Sequence, residues 1–129
     1  FPAEKGKGAF LNRRPIRTSA DSLDFSLAAF GTGTYDMNLT WKLAAAYCET
    51  ALDIRRSGAG ALDLCNVACG RTGIFWELTL KPWDFAAGAL IVEEAGGSIK
   101  NYDGSPLTDY FAVQSVFALA NPKIPILKV

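Results

Sequence analysis

Residues 80–97 read LKPWDFAAGALIVEEAGG and carry both the start signal and the stop signal of a helix. Pro82 suits the first helical position because its missing N–H needs no partner there and its fixed φ is already helical. Gly96 and Gly97 provide the left-handed residue that commonly ends a helix. Between these ends the residues are apolar on nearly every face, and four of the first seven after Asp84 are Ala or Gly. The segment therefore predicts a helix buried between layers, with another backbone packed closely against it.

Asp84 is the only charged residue in the first two turns of this predicted helix. The positive end of the helix dipole favours its ionised form, which is the form that binds a hard cation through oxygen. Two interpretations follow, a side chain that only complements the dipole and a metal ligand. For a single aspartate the first is the commoner case, so the surrounding residues have to decide between them.

Those surrounding residues, WDFAAGALIVEEAGG at positions 83–97, closely resemble the C-terminal signature of the inositol monophosphatase family of metal-dependent sugar and inositol phosphatases. The agreement runs along the whole pattern, so a chance match is improbable. The resemblance implies that Asp84 is a catalytic residue and a metal ligand. It also implies Mg²⁺ as the cofactor, with two or three ions at the active site.

Residues 55–71 read RRSGAGALDLCNVACGR and resemble a second block of the same family. Gly58, Ala59 and Gly60 fall at a strand-to-helix turn, where glycines let a ligand approach the N–H groups of the helix N-terminus. Tight packing of the helix on the strand is the structural alternative, and both can hold at once. The resemblance implies that these three residues bind the substrate, although Ala59 replaces a residue that usually carries a hydroxyl.

Two further substrate contacts are implied by the resemblance. Glu77 lies at the end of a predicted strand, shortly before Asp84. Alone it would be read as a solvated charge, whereas the resemblance makes it an acceptor for a ring hydroxyl of the substrate. Thr32 lies in the glycine loop GTGT at 31–34, which could cradle an anion or serve as a plain connection; the resemblance places its hydroxyl against the substrate.

Strand and helix patterns alternate along the rest of the chain. We predict strands over residues 23–30, 54–57, 74–78, 98–102 and 115–120, and helices over residues 36–52 and 58–68, the first with Asp36 as its N-cap. The second helix should have Leu62, Leu64, Cys65, Val67 and Cys69 mostly buried. The glycine-rich residues 4–12 correspond to a hairpin of the family, although Arg13, where glycine is usual, tolerates positive φ poorly.

These elements predict an α/β domain over residues 1–129, a mixed sheet of about five strands with helices on its faces. Within the resemblance this is the C-terminal half of the sugar-phosphatase fold. The chain starts FPA without an initiator Met, so we expect a fragment that begins near the midpoint of a full-length enzyme. The other metal ligands of the family, a Glu pair and the two aspartates of Asp-Pro-x-Asp-Gly-Thr, belong to the N-terminal half.

Composition limits the possible chemistry. The 129 residues suffice for one domain with a core. Thirteen basic and thirteen acidic residues cancel, which gives no electrostatic reason to expect nucleic acid or an anionic membrane as a partner. The sequence has no histidine, which removes Ser-His-Asp and Cys-His catalysis and the commonest zinc ligand. Carboxylates, hydroxyls, backbone groups and hard metals remain.

The cysteines indicate a compartment. Cys48, Cys65 and Cys69 are odd in number, and no second pair completes a zinc site with the last two. Buried, reduced thiols in a cytoplasmic protein are the better interpretation. The sequence shows neither a secretory signal nor an apolar run of transmembrane length.

We therefore predict the substrate-side half of a Mg²⁺-dependent phosphomonoesterase that acts on inositol monophosphate or a related sugar phosphate. The complete protein should be a homodimer, and residues 1–129 alone should be inactive. A fructose-1,6-bisphosphatase or a 3′-phosphonucleotide phosphatase of the same superfamily is the alternative enzyme. From a different class, the chain could be a non-catalytic domain that retained the fold for binding or assembly.

Overall fold

The computed structural model of the chain describes residues 1–107 and 109–129. Its strands are β1 (Phe10–Leu11), β2 (Arg14–Pro15), β3 (Leu27–Phe30), β4 (Asp53–Arg55), β5 (Ile74–Leu80), β6 (Ser98–Lys100) and β7 (Gln114–Leu119). Its helices are α1 (Met37–Thr50), α2 (Gly60–Ala68) and α3 (Pro82–Glu94), and a 3₁₀ turn covers Leu23–Phe25.

Five of these strands form one mixed sheet in the order β4–β3–β5–β7–β6, while β1 and β2 form a separate antiparallel pair. Strand β3 is parallel to both β4 and β5, whereas β7 is antiparallel to β5 and β6. The predicted mixed sheet with helices on its faces is confirmed. Because β3, β4 and β5 run the same way, their carboxyl ends meet at one edge, where α/β sheets commonly bind ligands.

Helix α1 packs on one face of the sheet. Leu43 and Tyr47 are fully buried there against Trp76 and Phe117. The Tyr47 hydroxyl donates to the carbonyl of Pro125 and accepts the N–H of residue 127, each at 2.9 Å, which fastens the C-terminal segment to this face. Desolvation by this burial raises the pKa of Tyr47 to about 12.

Helices α2 and α3 pack together on the opposite face. The predicted ends of α3 are confirmed, since Pro82 stands at its start and Gly96 adopts a φ of 104° just beyond its end. The predicted close approach is also confirmed. A Cβ added to Gly88 would lie 2.5 Å from Leu64 Cδ1, so only glycine lets α2 and α3 come this close.

The prediction that α3 is buried on all sides is wrong. Trp83 is 76% exposed, and Ala86 and Ala87 are exposed beside it. The buried residues of α3, among them Phe85 and Val92, lie on the side that contacts α2 and the sheet. Apolar residues on every face of a helix therefore do not establish that every face is buried by the described residues.

Other predicted boundaries need correction. The first part of the predicted strand 23–30 is the 3₁₀ turn, which the N–H of Ser26 closes by donating to the carbonyl of Leu23 at 3.0 Å. Strand β5 extends to Leu80, beyond the predicted end, with an irregular register after Glu77. Arg13 adopts a φ of 66° and the β1–β2 pair still forms, so arginine does not prevent the turn.

The cysteines are all free thiols. Cys65 and Cys69 are half-buried, but Cys48 is exposed, so the expectation of burial is wrong for Cys48. Over residues 1–107 and 109–129, none of the helices combines the length and the apolar character needed to cross a lipid bilayer.

Candidate active site at the carboxyl edge of the parallel strands

A cavity of about 340 Å³ opens where the carboxyl ends of β3, β4 and β5 meet. The loop after β3, the turn between β4 and α2, the second half of β5 and the first turn of α3 all contribute to it. Its lining residues are Gly31, Arg56, Gly58, Ala59, Gly60, Ala61, Asp63, Glu77, Leu80 and Asp84. Five of the six predicted site residues are in this set, and Thr32 is bonded to one of its members.

The Glu77 carboxylate fits into the glycine loop that follows β3. The N–H of Gly33 donates to Glu77 Oε2 at 3.0 Å. A Cβ on Gly31 would lie 1.9 Å from Oε1, and a Cβ on Gly33 would lie 2.3 Å from Oε2. The loop needs glycine at both positions because any side chain there would displace the carboxylate. Packing against Glu77 is thus one physical reason for the glycines of this loop.

The surroundings of Glu77 shift the pKa of its carboxyl in both directions. Burial raises the pKa of its carboxyl above the ordinary value, and the negative charges of Asp84 and Asp63 act in the same direction. The hydrogen bond from Gly33 and the positive charge of Arg56 lower it. Glu77 is therefore a carboxylate held in a partly desolvated, acidic setting rather than a solvated surface charge.

Asp84 lies in the first turn of α3, half-buried, at the wall of the same cavity. A carboxylate in this position suits a hard cation as one oxygen ligand. Within the described part of the chain, however, no three Asp, Glu, His or Cys side chains come together in an arrangement that could hold a metal ion. The described residues thus fit Mg²⁺ with one carboxylate and do not present a full ligand set.

The turn between β4 and α2 is organised by a serine rather than by the missing hydroxyl at Ala59. Ser57 Oγ accepts the N–H of Ala59 at 3.0 Å and donates to Asp63 Oδ2 at 2.8 Å. Gly58 has a φ of 81°, a conformation that favours glycine. Ala59 occupies the N-cap position, and no side chain caps α2. The first-turn N–H groups of α2 are therefore left without a side-chain acceptor.

Asp63 is a site residue that the sequence analysis missed. It is only 3% exposed, whereas Leu62, predicted to be buried, is 49% exposed. Leu64 and Val67 are buried as predicted, and Asp63 shares their face because it lies one turn before the buried Val67. The four-residue spacing between Asp63 and Val67 could have predicted from the sequence that Asp63 is buried. Burial raises the pKa of Asp63, and the hydroxyl of Ser57 and the charge of Arg56 oppose the shift.

Arg56 is the second residue that the sequence analysis missed. Its Nε and Nη2 donate to Thr32 Oγ1 at 3.2 and 3.0 Å. Thr32 thereby reaches the site through Arg56, although it does not line the cavity itself. No local pattern predicts this pair, since its members are 24 positions apart and meet only because β4 pairs with β3.

Comparison with known proteins gives consistent matches. A sequence model described as "Inositol monophosphatase family" matches residues 1–124. The chain is 41% identical over 129 residues to a "Putative Nus factor SuhB" of Neisseria meningitidis serogroup B, covering 96% of this chain and 48% of that protein. It is 44% identical over 111 residues to an "Inositol-1-monophosphatase" of Synechocystis, covering 83% of this chain and 39% of that protein.

Solved structures agree with these sequence matches. An inositol monophosphatase from Anabaena superposes with a TM-score of 0.81 at 38% identity, covering 90% of this chain and 47% of that one. In each of these comparisons the chain spans about half or less of the length of the protein that it matches.

Proposed function

The chain belongs to the inositol monophosphatase family, and from this we propose that its full-length gene product is a Mg²⁺-dependent phosphomonoesterase acting on inositol monophosphate or a related sugar phosphate. The observation that carries the proposal is the convergence of Asp84, Glu77 and the turn at 58–60 on one cavity. These groups come from separate elements, and together they offer a cation ligand, a hydroxyl acceptor and backbone donors for an anion.

Asp84 is the residue of this chain that would hold the cation, with its remaining ligands lying outside this chain. A bound Mg²⁺ supplies Lewis-acid activation of the attacking water and stabilises charge on the leaving oxygen. Asp84 itself contributes a fixed negative charge at a rigid helix start. Its position in the first turn of a packed helix, two residues after Pro82, limits the motion of the carboxylate, as a ligand for an ordered site requires.

Glu77 is proposed to orient the alcohol part of the ester. Gly33 occupies Oε2, and Oε1 has no hydrogen-bond donor among the described residues. A ring hydroxyl of a polyol can donate to that oxygen. Charge-assisted hydrogen bonds of this kind are directional and stronger than neutral ones, so Glu77 would select cyclic polyols over alcohols that lack the hydroxyl.

The phosphate itself is proposed to face the start of α2. Free N–H groups and the positive end of the helix dipole favour an anion there, and Gly58, Ala59 and Gly60 have little or no side chain to obstruct it. Thr32 Oγ1 accepts two N–H groups from Arg56, so Thr32 would contribute to substrate binding by orienting the Arg56 guanidinium.

The experiment is hydrolysis of inositol 1-phosphate by the full-length gene product in excess Mg²⁺. We expect Asp84→Asn to reduce turnover by orders of magnitude with an unchanged circular dichroism spectrum, because it removes charge and keeps size. Asp21→Asn, at an exposed aspartate away from the cavity, is the matched control and should retain wild-type activity. Near-normal turnover by Asp84→Asn at saturating Mg²⁺ would reject the metal-ligand role.

A second arm of the experiment uses residues 1–129 alone. We expect no turnover and weak Mg²⁺ binding by calorimetry, since the described residues present no complete ligand set. Robust hydrolysis by this polypeptide would mean that it contains ligands not recognised in its structure.

A non-catalytic function in binding or assembly is the second candidate. It is favoured by the name of one similar protein, "Putative Nus factor SuhB", which does not refer to phosphatase activity. The two candidates separate in a strain that lacks the gene. If Asp84→Asn restores the wild-type phenotype as well as the unchanged gene does, the binding function is supported, and if it fails, the phosphatase function is.

We also propose that the complete protein is a cytoplasmic homodimer without a nucleic-acid or membrane partner. Three free thiols suit a reducing compartment. Equal numbers of basic and acidic residues provide no cationic footprint for a polyanion. Sedimentation of the purified gene product tests the dimer, and cell fractionation tests the location.

A further inference from the structure

Arg56 lies on the wall of the proposed active-site cavity and is held in place by one neighbour. Its Nε and Nη2 both donate to Thr32 Oγ1. A guanidinium has five N–H donors, so this contact fixes its orientation while using only some of them. Nη1 has no acceptor among the described residues, and a Cβ built on Gly58 would lie 3.5 Å from it. Because Gly58 has no side chain, the space between the guanidinium and the start of α2 is open.

The charge of Arg56 is not neutralised by an ion pair. In the described part of the chain the ion pairs are Lys7–Glu4 and Arg55–Asp53. The adjacent Arg55 is bonded to Asp53 at 2.7 Å, so two neighbouring arginines have different partners. Arg56 still acts on the cavity, since its positive charge lowers the pKa of Glu77. An oriented cation without a carboxylate partner is available to an anionic ligand.

The chemistry of this position suits a phosphate or a carboxylate. A guanidinium presents paired N–H groups that match two oxygens of such a group, whereas an ammonium does not. Because Thr32 already holds the side chain, binding costs less conformational entropy than it would for a free arginine.

We propose that Arg56 is a specificity-determining residue that binds a second anionic group on the phosphate ester. The inference rests on the proposed function, in which Asp84 and its cation take the phosphate that is hydrolysed. A phosphate or carboxylate elsewhere on the same substrate then pairs with Arg56. The favoured substrate class is accordingly a cyclic polyol phosphate with a further negative group, rather than a simple monophosphate.

The test compares inositol 1-phosphate with inositol 1,4-bisphosphate, which share the ring and the first phosphate. Both are assayed with the full-length gene product and its Arg56→Ala variant. We expect kcat/KM for the bisphosphate to fall about tenfold to a hundredfold, mainly through KM, as for loss of a charged hydrogen bond. The monophosphate should lose less than the bisphosphate, because it has no second anionic group for Arg56 to bind. Arg56→Lys should lose less, because it keeps the charge without the paired donors.

Arg55→Ala is the matched control. It removes a guanidinium from the adjacent position, and Arg55 does not line the cavity. It should leave the ratio between the two substrates unchanged. Equal losses on both substrates in Arg56→Ala would overturn the proposal. Arg56 would then bind the phosphate that both substrates share, or act through its charge on Glu77. The same selective loss in Arg55→Ala would also overturn it.

Calorimetric binding separates this inference from the proposed function. If the wild-type protein hydrolyses neither ester, the proposed function fails, and affinity for the two esters still tests Arg56. Tighter wild-type binding of the bisphosphate that disappears in Arg56→Ala would support the anion-binding role. Equal affinity of the wild-type protein for both esters would overturn it. Arg56 is exposed, so these variants should fold, and circular dichroism verifies that they do.

Discussion

The helices on the two faces of the sheet begin in different ways. On one face, Asp36 caps α1, and its carboxylate accepts the N–H of Leu39 at 3.0 Å. On the other face, the N-cap residues of α2 and α3 are Ala59 and Lys81, and neither helix has a side-chain cap. Both uncapped ends contribute residues to the candidate site. The contrast suggests that the α1 end is closed for stability, whereas the α2 end keeps its donors free for a ligand and the α3 end places Asp84 at the site.

The residues buried on the two faces of the sheet also differ. Beneath α1, aromatic rings stack, with centroids 5.2 Å apart for Phe30–Trp76 and 6.0 Å apart for Trp76–Phe117. On the opposite face, the carboxyl of Asp63 in α2 is buried next to the cavity. Burying an ionisable group costs free energy unless it is well paired, and Ser57 offsets only part of that cost. The face that carries α2 and α3 thus tolerates a buried carboxyl next to the candidate site.

Among the variants that test this contrast between the two faces, the largest effect is expected for Glu77→Gln in the full-length gene product. Loss of the charged acceptor should cost about 1.5–3 kcal/mol of binding to a ring hydroxyl. We therefore expect kcat/KM for inositol 1-phosphate to fall about tenfold to a hundredfold more than kcat/KM for a simple aryl phosphate. Steady-state kinetics on both esters measure the difference.

Glu49→Gln is the control for this prediction, because Glu49 is an exposed glutamate on α1, on the other face of the sheet. It should change neither ester. Equal losses on both esters in Glu77→Gln would show that Glu77 acts through the structure of the glycine loop rather than through substrate recognition.

A side-chain cap at the start of α2, like the one on α1, would remove the difference between the two helix starts. Ala59→Asp should raise the free energy of unfolding by about 0.5–2 kcal/mol, the range for an N-cap side chain. It should also raise KM for phosphate esters several-fold, because a carboxylate at the helix start repels the phosphate. Denaturant unfolding and steady-state kinetics measure the two effects.

Ala59→Asn separates the cap from the charge, since it can cap the helix without repelling an anion. It should keep most of the stability gain and raise KM less. If Ala59→Asp leaves KM unchanged, the start of α2 does not face the phosphate and the contrast between the two faces has no functional meaning.

Much of the fold could be predicted because its signals are local. Pro82 and Gly96 bound α3, and Asp36 caps α1, as their residue types indicate. The mixed sheet follows from the alternation of strand and helix patterns. The 3₁₀ turn Leu23–Phe25 and the exposed side of α3 could not be read in this way, because they depend on which neighbours pack against apolar residues.

The site was predictable only where the family resemblance supplied it. Asp84 and Glu77 carry no local signal that separates a functional carboxylate from an ordinary one, and their roles remain predictions. Arg56 was missed because its partner, Thr32, is brought to it by strand pairing. Asp63 was missed because the helical phase of α2 was taken from apolar residues alone.

A smaller effect is expected for Asp36→Ala, which removes the cap on the closed face. The free energy of unfolding should fall by about 1 kcal/mol, while kcat/KM for inositol 1-phosphate should stay at the wild-type value. Asp36 does not line the candidate site. Thermal or denaturant unfolding gives the first quantity and the phosphatase assay the second. A loss of activity with unchanged stability would mean that the α1 end also serves the site.

The smallest effect concerns the pH dependence of stability at Asp63. Burial raises its pKa above the ordinary value of 3.8, so the native state holds this proton more tightly than the unfolded state does. The free energy of unfolding then falls as the pH rises from 3.8 through the raised native pKa. Asn cannot titrate and still offers an oxygen to the hydroxyl of Ser57. Asp63→Asn should therefore gain stability relative to wild type on going from acid to neutral pH.

Asp53→Asn is the control for the sign of this effect. Its hydrogen bond from Arg55 lowers the pKa of Asp53, so that carboxylate stabilises the native state above its unfolded pKa, and the stability is lost as the pH falls. Asp53→Asn should therefore lose stability relative to wild type on going from acid to neutral pH, the opposite trend to Asp63→Asn. Denaturant unfolding at a series of pH values resolves the two slopes. If the free energy of unfolding varies with pH in the same way for Asp63→Asn and wild type, the cost of burying the Asp63 carboxylate is fully offset by its neighbours. The α2 face would then bear no electrostatic cost for its site.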